Sequence, residues 1–132
     1  MARILVVDDD KAIQLITKLL LEREGHAVCC ADDGSQALQV FRETAFDLLI
    51  VDIFMPGMDG LETMKMVHKQ HPLTPVIVIS GIATSSRTTA PDFLAMSTKL
   101  GAVCSLQKPF RSDALLAQVA RGLASGGIRK PN

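Results

Sequence analysis

The chain has 132 residues, of which 48% are hydrophobic and 21% are charged, which is the composition of one globular domain. Lys+Arg and Asp+Glu both number 14, and Trp and Tyr are absent, so neither bulk charge nor an aromatic stacking surface favours a nucleic-acid partner. No apolar run approaches the roughly 20 residues that span a bilayer, and no signal peptide opens the chain. We therefore expect a cytoplasmic protein with no membrane partner, whose cysteines are small buried hydrophobes.

Short apolar runs alternate with helical patterns along the chain. The runs predict five strands, over residues 3–7, 27–31, 47–51, 75–79 and 102–107. Periodic apolar residues predict five helices, over residues 11–24, 35–44, 61–70, 92–100 and 113–123. Strands that are apolar without interruption are covered on both faces, so the pattern predicts an α/β fold with a doubly wound parallel sheet.

The first predicted helix has clear end signals. Asp10 is the expected N-cap, and Gly25 is expected to end the helix. Ile13, Ile16 and Leu20 recur at helical spacing and are predicted to face the core.

Charged and polar side chains stand directly after four of the predicted strands. Asp8 and Asp9 follow the first strand, Asp52 the third, Ser80 the fourth and Lys108 the fifth. The carboxyl ends of parallel strands share one edge, which is where ligands bind in such sheets. We therefore expect these side chains to converge at that edge.

The predicted cluster suits phosphoryl transfer. Neighbouring carboxylates repel each other unless a cation lies among them, and hard oxygen ligands favour Mg²⁺. The metal would keep Asp52 ionised as a nucleophile, Lys108 would pair with a phosphoryl oxygen, and Ser80 would donate a hydrogen bond to another. Taken singly, these residues have ordinary roles, such as a turn for Asp52 and a solvated charge for Lys108. Their coincidence at separate strand ends favours the functional interpretation.

Four motifs carry a resemblance to a known family. They are VVDD at 6–9, DIFMPGMDG at 52–60, SG at 80–81 and KPF at 108–110. In this order and spacing the chain resembles a response-regulator receiver domain of two-component signalling, over residues 2–123. The resemblance implies a flavodoxin-like fold with strand order 2-1-3-4-5. It also implies a signalling phosphoacceptor that catalyses only its own phosphorylation and dephosphorylation.

The resemblance assigns roles to single residues of the metal site. Asp52 aligns with the aspartate that is phosphorylated and that also ligates the metal. Asp9 aligns with a direct Mg²⁺ ligand, and Asp8 with the acid that holds the metal through water. Phe54 aligns with the residue whose main-chain carbonyl completes the protein's ligands.

Further positions are implied around the phosphoryl group. Lys108 aligns with the lysine that pairs with it, and Ser80 with the switch hydroxyl that moves toward it. Gly81 aligns with the small residue beside that hydroxyl, and the main chain of Phe54 and Gly81 would contact the phosphoryl oxygens.

Three features depart from the pattern of the family. Ser105 stands where the family usually places an aromatic residue that turns inward on activation. The segment over residues 81–91 is longer than usual and rich in hydroxyl groups. Phe54 and Ile82 are apolar at positions that flank the path of the attacking water, which predicts slow autodephosphorylation.

The receiver domain is expected over residues 1–124 and a flexible tail over 125–132, which leaves no room for an output domain. The expected partners are a histidine kinase or histidine phosphotransfer protein, docked on the first helix at Leu15 and Leu19, and an unidentified downstream protein. The sequence is also compatible with a weak homodimer.

Other interpretations share parts of this sequence pattern. A receiver fragment of a larger hybrid kinase or regulator would show the same motifs. A pseudo-receiver, which binds partners without taking phosphate, is disfavoured by intact Asp8, Asp9, Asp52 and Lys108. An aspartyl-phosphate phosphatase would need an acid two residues after the nucleophile, where Phe54 stands. A flavin carrier would need a Ser/Thr/Gly-rich phosphate loop after the first strand.

Overall fold

The computed structural model describes residues 2–52, 60–80, 102–107 and 110–127. The strands are β1 (Arg3–Val7), β2 (Ala27–Ala31), β3 (Leu48–Asp52), β4 (Val76–Ser80) and β5 (Ala102–Gln107). The described helices are α1 (Lys11–Arg23), α2 (Gly34–Glu43), α3 (Gly60–Gln70) and α4 (Ser112–Gly127). The helix predicted over residues 92–100 lies outside the described residues.

The boundaries agree with the sequence-based prediction to within a few residues. β1, β2 and β5 match it, whereas β3 and β4 each begin and end one residue later, so that Asp52 and Ser80 are the last residues of their strands. α4 continues through Gly127, so the first residues of the predicted tail are helical. None of the described helices is long and apolar enough to cross a membrane.

The five strands form one sheet, and all its neighbouring pairs are parallel, in the order β2-β1-β3-β4-β5. This order confirms the prediction. Val7 at the end of β1 pairs with Val51 in β3, and Asp52 pairs with Ile79 in β4. The residues that follow β1 therefore lie beside the last residue of β3, at one edge of the sheet.

The sheet separates two apolar clusters. Leu5, Val7, Leu49 and Val51 belong to the cluster that includes residues of α2 and α3. Alternate strand residues, such as Ile50, belong to the cluster that includes residues of α1 and α4. All five residues of β3 are buried, as expected for a central strand covered on both faces. Each fully buried aliphatic side chain contributes about 1.5–3 kcal/mol to folding.

The ends of α1 are fixed by local chemistry. The Asp10 carboxylate Oδ1 accepts hydrogen bonds from the backbone N–H groups of Ala12 and Ile13, at 2.9 and 3.3 Å, which confirms it as the N-cap. Beyond the helix, Gly25 has a φ of 92°, a left-handed conformation that side chains disfavour.

The inward face of α1 differs from the predicted one. Its buried residues are Gln14, Thr17 and Leu21. Ile16, which was predicted to face the core, is 52% exposed. The prediction for Ile16 is wrong because the apolar residues of this helix extend beyond its buried side onto the exposed side that carries Leu15 and Leu19.

The prediction of buried cysteines is also wrong for Cys29. Its side chain is exposed, and Cys30 is half-buried. β2 is one of the two edge strands of the sheet, so it has a neighbouring strand on one side only. Burial raises the pKa of the Cys30 thiol, which disfavours a reactive thiolate at neutral pH.

Gly122 in α4 packs closely against the sheet. A Cβ placed there would lie 3.0 Å from Leu48 Cδ1 and 3.6 Å from Ile77 Cδ1. Both side chains are fully buried, so they have little space to yield. We expect Gly122→Val to lower the free energy of unfolding by about 1–3 kcal/mol through overpacking. Urea denaturation measures the change.

The exposed Ala120 provides the matched control on the same helix. Ala120→Val places a valine side chain at an exposed position of the same helix. It should lower the free energy of unfolding by less than about 0.7 kcal/mol, which is the difference in helix propensity alone. Equal losses for the two variants would contradict the packing argument.

Candidate functional site

Three carboxylates meet at the carboxyl edge of the sheet. Asp8 follows β1 directly and is fully buried, Asp9 beside it is exposed, and Asp52 ends β3 with 3% of its surface exposed. One carboxylate oxygen from each of the three residues lies within 4.8 Å of those from the other two. The parallel pairing of β1 with β3 produces this arrangement, because it places the two strand ends side by side.

The chemistry of this donor set fits a hard divalent cation. Two of the three carboxylates are buried, where like charges repel more strongly than they do in water. A cation among them would offset that repulsion, and an all-oxygen donor set matches the preference of Mg²⁺. Asp8, Asp9 and Asp52 are thus the described residues that could hold the metal.

Asp8 is held on several sides by hydrogen bonds. Its backbone N–H donates to the carbonyl of Ala31 at the end of β2, at 3.1 Å. Its Oδ1 accepts from the backbone N–H of Asp10 at 2.9 Å. Its own carbonyl accepts from Nε2 of Gln14 at 2.6 Å. The backbone around this carboxylate is therefore fixed to the neighbouring strand and to α1.

A polar network on α1 extends this support to the loop after β2. Lys11 Nζ lies 2.7 Å from Asp32 Oδ1, which also accepts a hydrogen bond from Gln14 Nε2 at 2.8 Å. The hydrogen bonds from Lys11 and, next, from Gln14 hold the pKa of Asp32 below its usual value.

Sequence reasoning missed both Gln14 and Asp32. A signal for Gln14 does exist, since it precedes Thr17 and Leu21 by three and seven residues on the inward face of α1. A polar side chain on a buried helical face needs hydrogen-bond partners, which is a reason to look for them.

Ser80 also ends its strand at this edge, where it pairs in register with Gln107, the last residue of β5. The structure describes no more of Ser80 than its backbone placement. Three further predicted site residues, Phe54, Gly81 and Lys108, lie outside the described residues, and their roles stay predictions.

The departures from the family pattern fall partly within the described chain. Ser105 lies in β5 and pairs with Val78. Ile82 and the segment over residues 81–91 lie outside the described residues.

Comparison with known proteins identifies the family to which the chain belongs. The model of the response regulator receiver domain matches residues 4–120. The chain belongs to the response regulator receiver domain family. Receiver domains are signalling domains of two-component systems, and they bind Mg²⁺ through acidic residues such as those gathered here.

Relatives and solved structures agree with this membership. The chain is 40% identical over 121 residues to the transcriptional regulatory protein ZraR of Escherichia coli, covering 92% of this chain and 26% of ZraR. It is 38% identical over 119 residues to the transcriptional regulatory protein CpxR of the same organism, covering 90% of this chain and 48% of CpxR. A crystal structure of a CheY-like receiver domain protein from Methanospirillum hungatei superposes with a TM-score of 0.87 at 31% identity, covering 97% of this chain and 98% of that one.

The chain thus spans half or less of the length of these two curated relatives. Receiver domains partner with histidine kinases and downstream effectors, and the relatives' names describe transcriptional regulators. The expectation that nucleic acid is not a partner therefore stays a prediction. It concerns only this segment and not the longer regulators.

The carboxylate cluster makes a stability prediction for the receiver domain. At a tenfold excess over its Kd, Mg²⁺ should stabilise the wild type by about 1.4 kcal/mol, which raises Tm by roughly 5 °C. Asp9→Asn should raise Tm in the absence of Mg²⁺, because one like charge is removed, and should lose most of the gain that Mg²⁺ gives. Calorimetric melting with and without Mg²⁺ measures both effects.

Asp33→Asn is the control, because it removes a carboxylate charge from the nearby loop while asparagine still caps α2. Its response to Mg²⁺ should equal that of the wild type. An undiminished Mg²⁺ response in Asp9→Asn would argue against the cluster as the metal site.

Proposed function

We propose that this domain takes a phosphoryl group onto Asp52, with Mg²⁺, from a histidine kinase or histidine phosphotransfer protein. A change of conformation then passes the signal to a downstream protein. The observation that carries the proposal is the buried Asp52 carboxylate at a strand end, with its oxygen within 4.8 Å of those of Asp8 and Asp9, in a member of the receiver family.

The reaction at Asp52 is a substitution at phosphorus. A carboxylate oxygen forms a bond to the phosphorus as the bond from phosphorus to the donor's imidazole nitrogen breaks, and that nitrogen keeps the electron pair. Bound Mg²⁺ would supply charge neutralisation between the incoming phosphoryl group and the carboxylates. The residues proposed to hold it are Asp8, Asp9, Asp52 and the main-chain carbonyl of Phe54.

The remaining proposed roles follow the alignment with the family. Lys108 pairs with a phosphoryl oxygen as a point charge, and Ser80 donates a hydrogen bond to another. The main chain of Phe54 and Gly81 contacts the phosphoryl group. The backbone placement of Ser80 at the same edge as Asp52 supports its part in this proposal.

The phosphorylation experiment tests the proposal directly. Incubation with Mg²⁺ and acetyl phosphate should add one phosphoryl group to the wild type and none to Asp52→Asn, as measured by intact mass. Asp33→Asn should be labelled like the wild type. Labelling of Asp52→Asn would locate the acceptor elsewhere, and folded wild type that stays unlabelled would favour a pseudo-receiver.

The outer face of α1 is the proposed docking surface for the phosphodonor. Leu15, Ile16 and Leu19 are 56%, 52% and 53% exposed, and their spacing places them together on one side of the helix. Large apolar side chains grouped on a surface favour a protein partner. α1 begins directly after Asp10, so a helical domain docked there lies next to the acidic cluster.

Charge substitution on this face should separate docking from chemistry. Leu19→Glu should slow phosphoryl transfer from the source organism's phosphorylated histidine kinases by about tenfold or more, whereas labelling by acetyl phosphate stays within twofold. Leu73→Glu is the matched control, since Leu73 is 65% exposed and precedes β4 at the opposite edge of the sheet. Equal slowing by both variants would contradict the assignment of the docking face.

Output is proposed to leave through β5, α4 and the helix predicted over residues 92–100. The domain is proposed to cover residues 1–124. The greater length of ZraR and CpxR favours, as a second candidate, a receiver segment that acts within a larger regulator.

A further inference from the structure

We infer that Gln14 is a positioning residue, which fixes the peptide between Asp8 and Asp9 and thereby sets the affinity of the acidic cluster for Mg²⁺. The inference rests on the proposed function and extends it to a residue on the inner face of α1. Gln14 is a buried polar residue, with 7% of its surface exposed.

The Gln14 amide has an acceptor for each of its two N–H hydrogens. Nε2 lies 2.6 Å from the Asp8 carbonyl oxygen and 2.8 Å from Asp32 Oδ1. A third acceptor, the carbonyl of Ala31, lies 3.3 Å away. One side chain thus joins the end of β1, the end of β2 and the loop that follows β2.

The contact with the Asp8 carbonyl bears directly on the metal ligands. That carbonyl belongs to the peptide plane that joins Asp8 to Asp9, and peptide groups are planar, so its direction fixes the backbone on both sides. The Ala31 carbonyl holds the peptide that precedes Asp8 through the Asp8 N–H. Both planes that flank Asp8 are therefore restrained, and with them the directions of the two carboxylates.

The restraint matters because of the geometry that Mg²⁺ demands. This ion requires a nearly ideal octahedron of oxygen ligands at short distances, so a tilt of the peptide plane weakens binding. Groups that orient ligands in this way typically change metal affinity by about 10–100-fold when they are removed.

Asp32 provides the other anchor of the Gln14 amide. Lys11 lies one helical turn before Gln14 and forms an ion pair with the same carboxylate oxygen. Its hydrogen bond also holds the pKa of Asp32 low, so Asp32 is an anionic acceptor at neutral pH. The charged acceptor thus holds Nε2 of Gln14 in place while the same nitrogen donates to the Asp8 carbonyl.

Magnesium titration of three proteins tests the inference. The proteins are the wild type, Gln14→Met, which keeps the chain length without the donor, and Gln14→Asn, which keeps the amide but draws it back by one methylene. We expect the Kd for Mg²⁺, from the amide shifts of the full chain, to rise about tenfold in both variants. The carbonyl carbon of Asp8 should also shift before Mg²⁺ is added, because it loses its hydrogen bond.

Thr17→Val is the matched control for a polar-to-apolar substitution on the buried face of α1. Thr17 is buried on the same face of α1, and its Oγ1 makes no hydrogen bond within the described part of the chain. This variant should leave the Kd within twofold of the wild-type value. At saturating Mg²⁺ the labelling of Gln14→Met by acetyl phosphate should approach the wild-type rate, since Asp52 is intact.

Several outcomes would overturn the inference. Folded Gln14→Met with a wild-type Kd would show that the amide does not position the cluster. An equal rise of Kd in Thr17→Val would show that any substitution on the buried face of α1 weakens Mg²⁺ binding. Failure of the wild type to bind Mg²⁺ would remove the proposed metal site itself, whereas wild-type binding with unaffected variants would remove only the role of Gln14.

Discussion

Repulsion among the carboxylates of Asp8, Asp9 and Asp52 is the constraint on which the rest of this site depends. The cost of holding these groups within 4.8 Å of one another is imposed by the sheet, because β1 and β3 are parallel neighbours whose ends coincide. β3 cannot shift without exposing a strand that is buried along its whole length. The apolar packing on both faces therefore sustains an electrostatic arrangement that the carboxylates alone would not adopt.

Position along the sheet gives these carboxylates different environments. Asp8 and Asp52 are buried at adjacent strand ends, whereas Asp9, the residue after Asp8, is exposed. A buried carboxylate proposed as the nucleophile, beside an exposed carboxylate proposed as a metal ligand, suits a reaction in which charge must be neutralised away from bulk water. The proposed phosphoryl transfer requires this combination of enclosure and access.

Much of this arrangement could be predicted from the sequence, because it depends on local signals. Uninterrupted apolar runs locate the strands, and the polar residues at their ends indicate the carboxyl edge, so the meeting of Asp8, Asp9 and Asp52 follows from a parallel sheet. The inner face of α1 could not be predicted in the same way, since the apolar residues of that helix extend onto its exposed side while Gln14 and Thr17 are buried. The exposure of Cys29 depended on β2 being an edge strand, which local sequence does not specify. The roles of residues such as Lys108 came from family resemblance and stay predictions.

The outer and inner sides of α1 differ, and each bears on the acidic cluster in its own way. Its outer side carries apolar residues such as Leu15 and Leu19, which are more than half exposed among the residues that the structure describes. Its inner side carries Gln14, whose burial is sustained by hydrogen bonds at the ends of β1 and β2. The helix is joined to the cluster through its N-cap, Asp10, whose backbone N–H donates to Asp8. Since a helix of 13 residues moves largely as a unit, a donor that docks on its outer side as proposed would contact the same element that carries Gln14. The proposed donor recognition and the proposed positioning of the metal ligands therefore share α1.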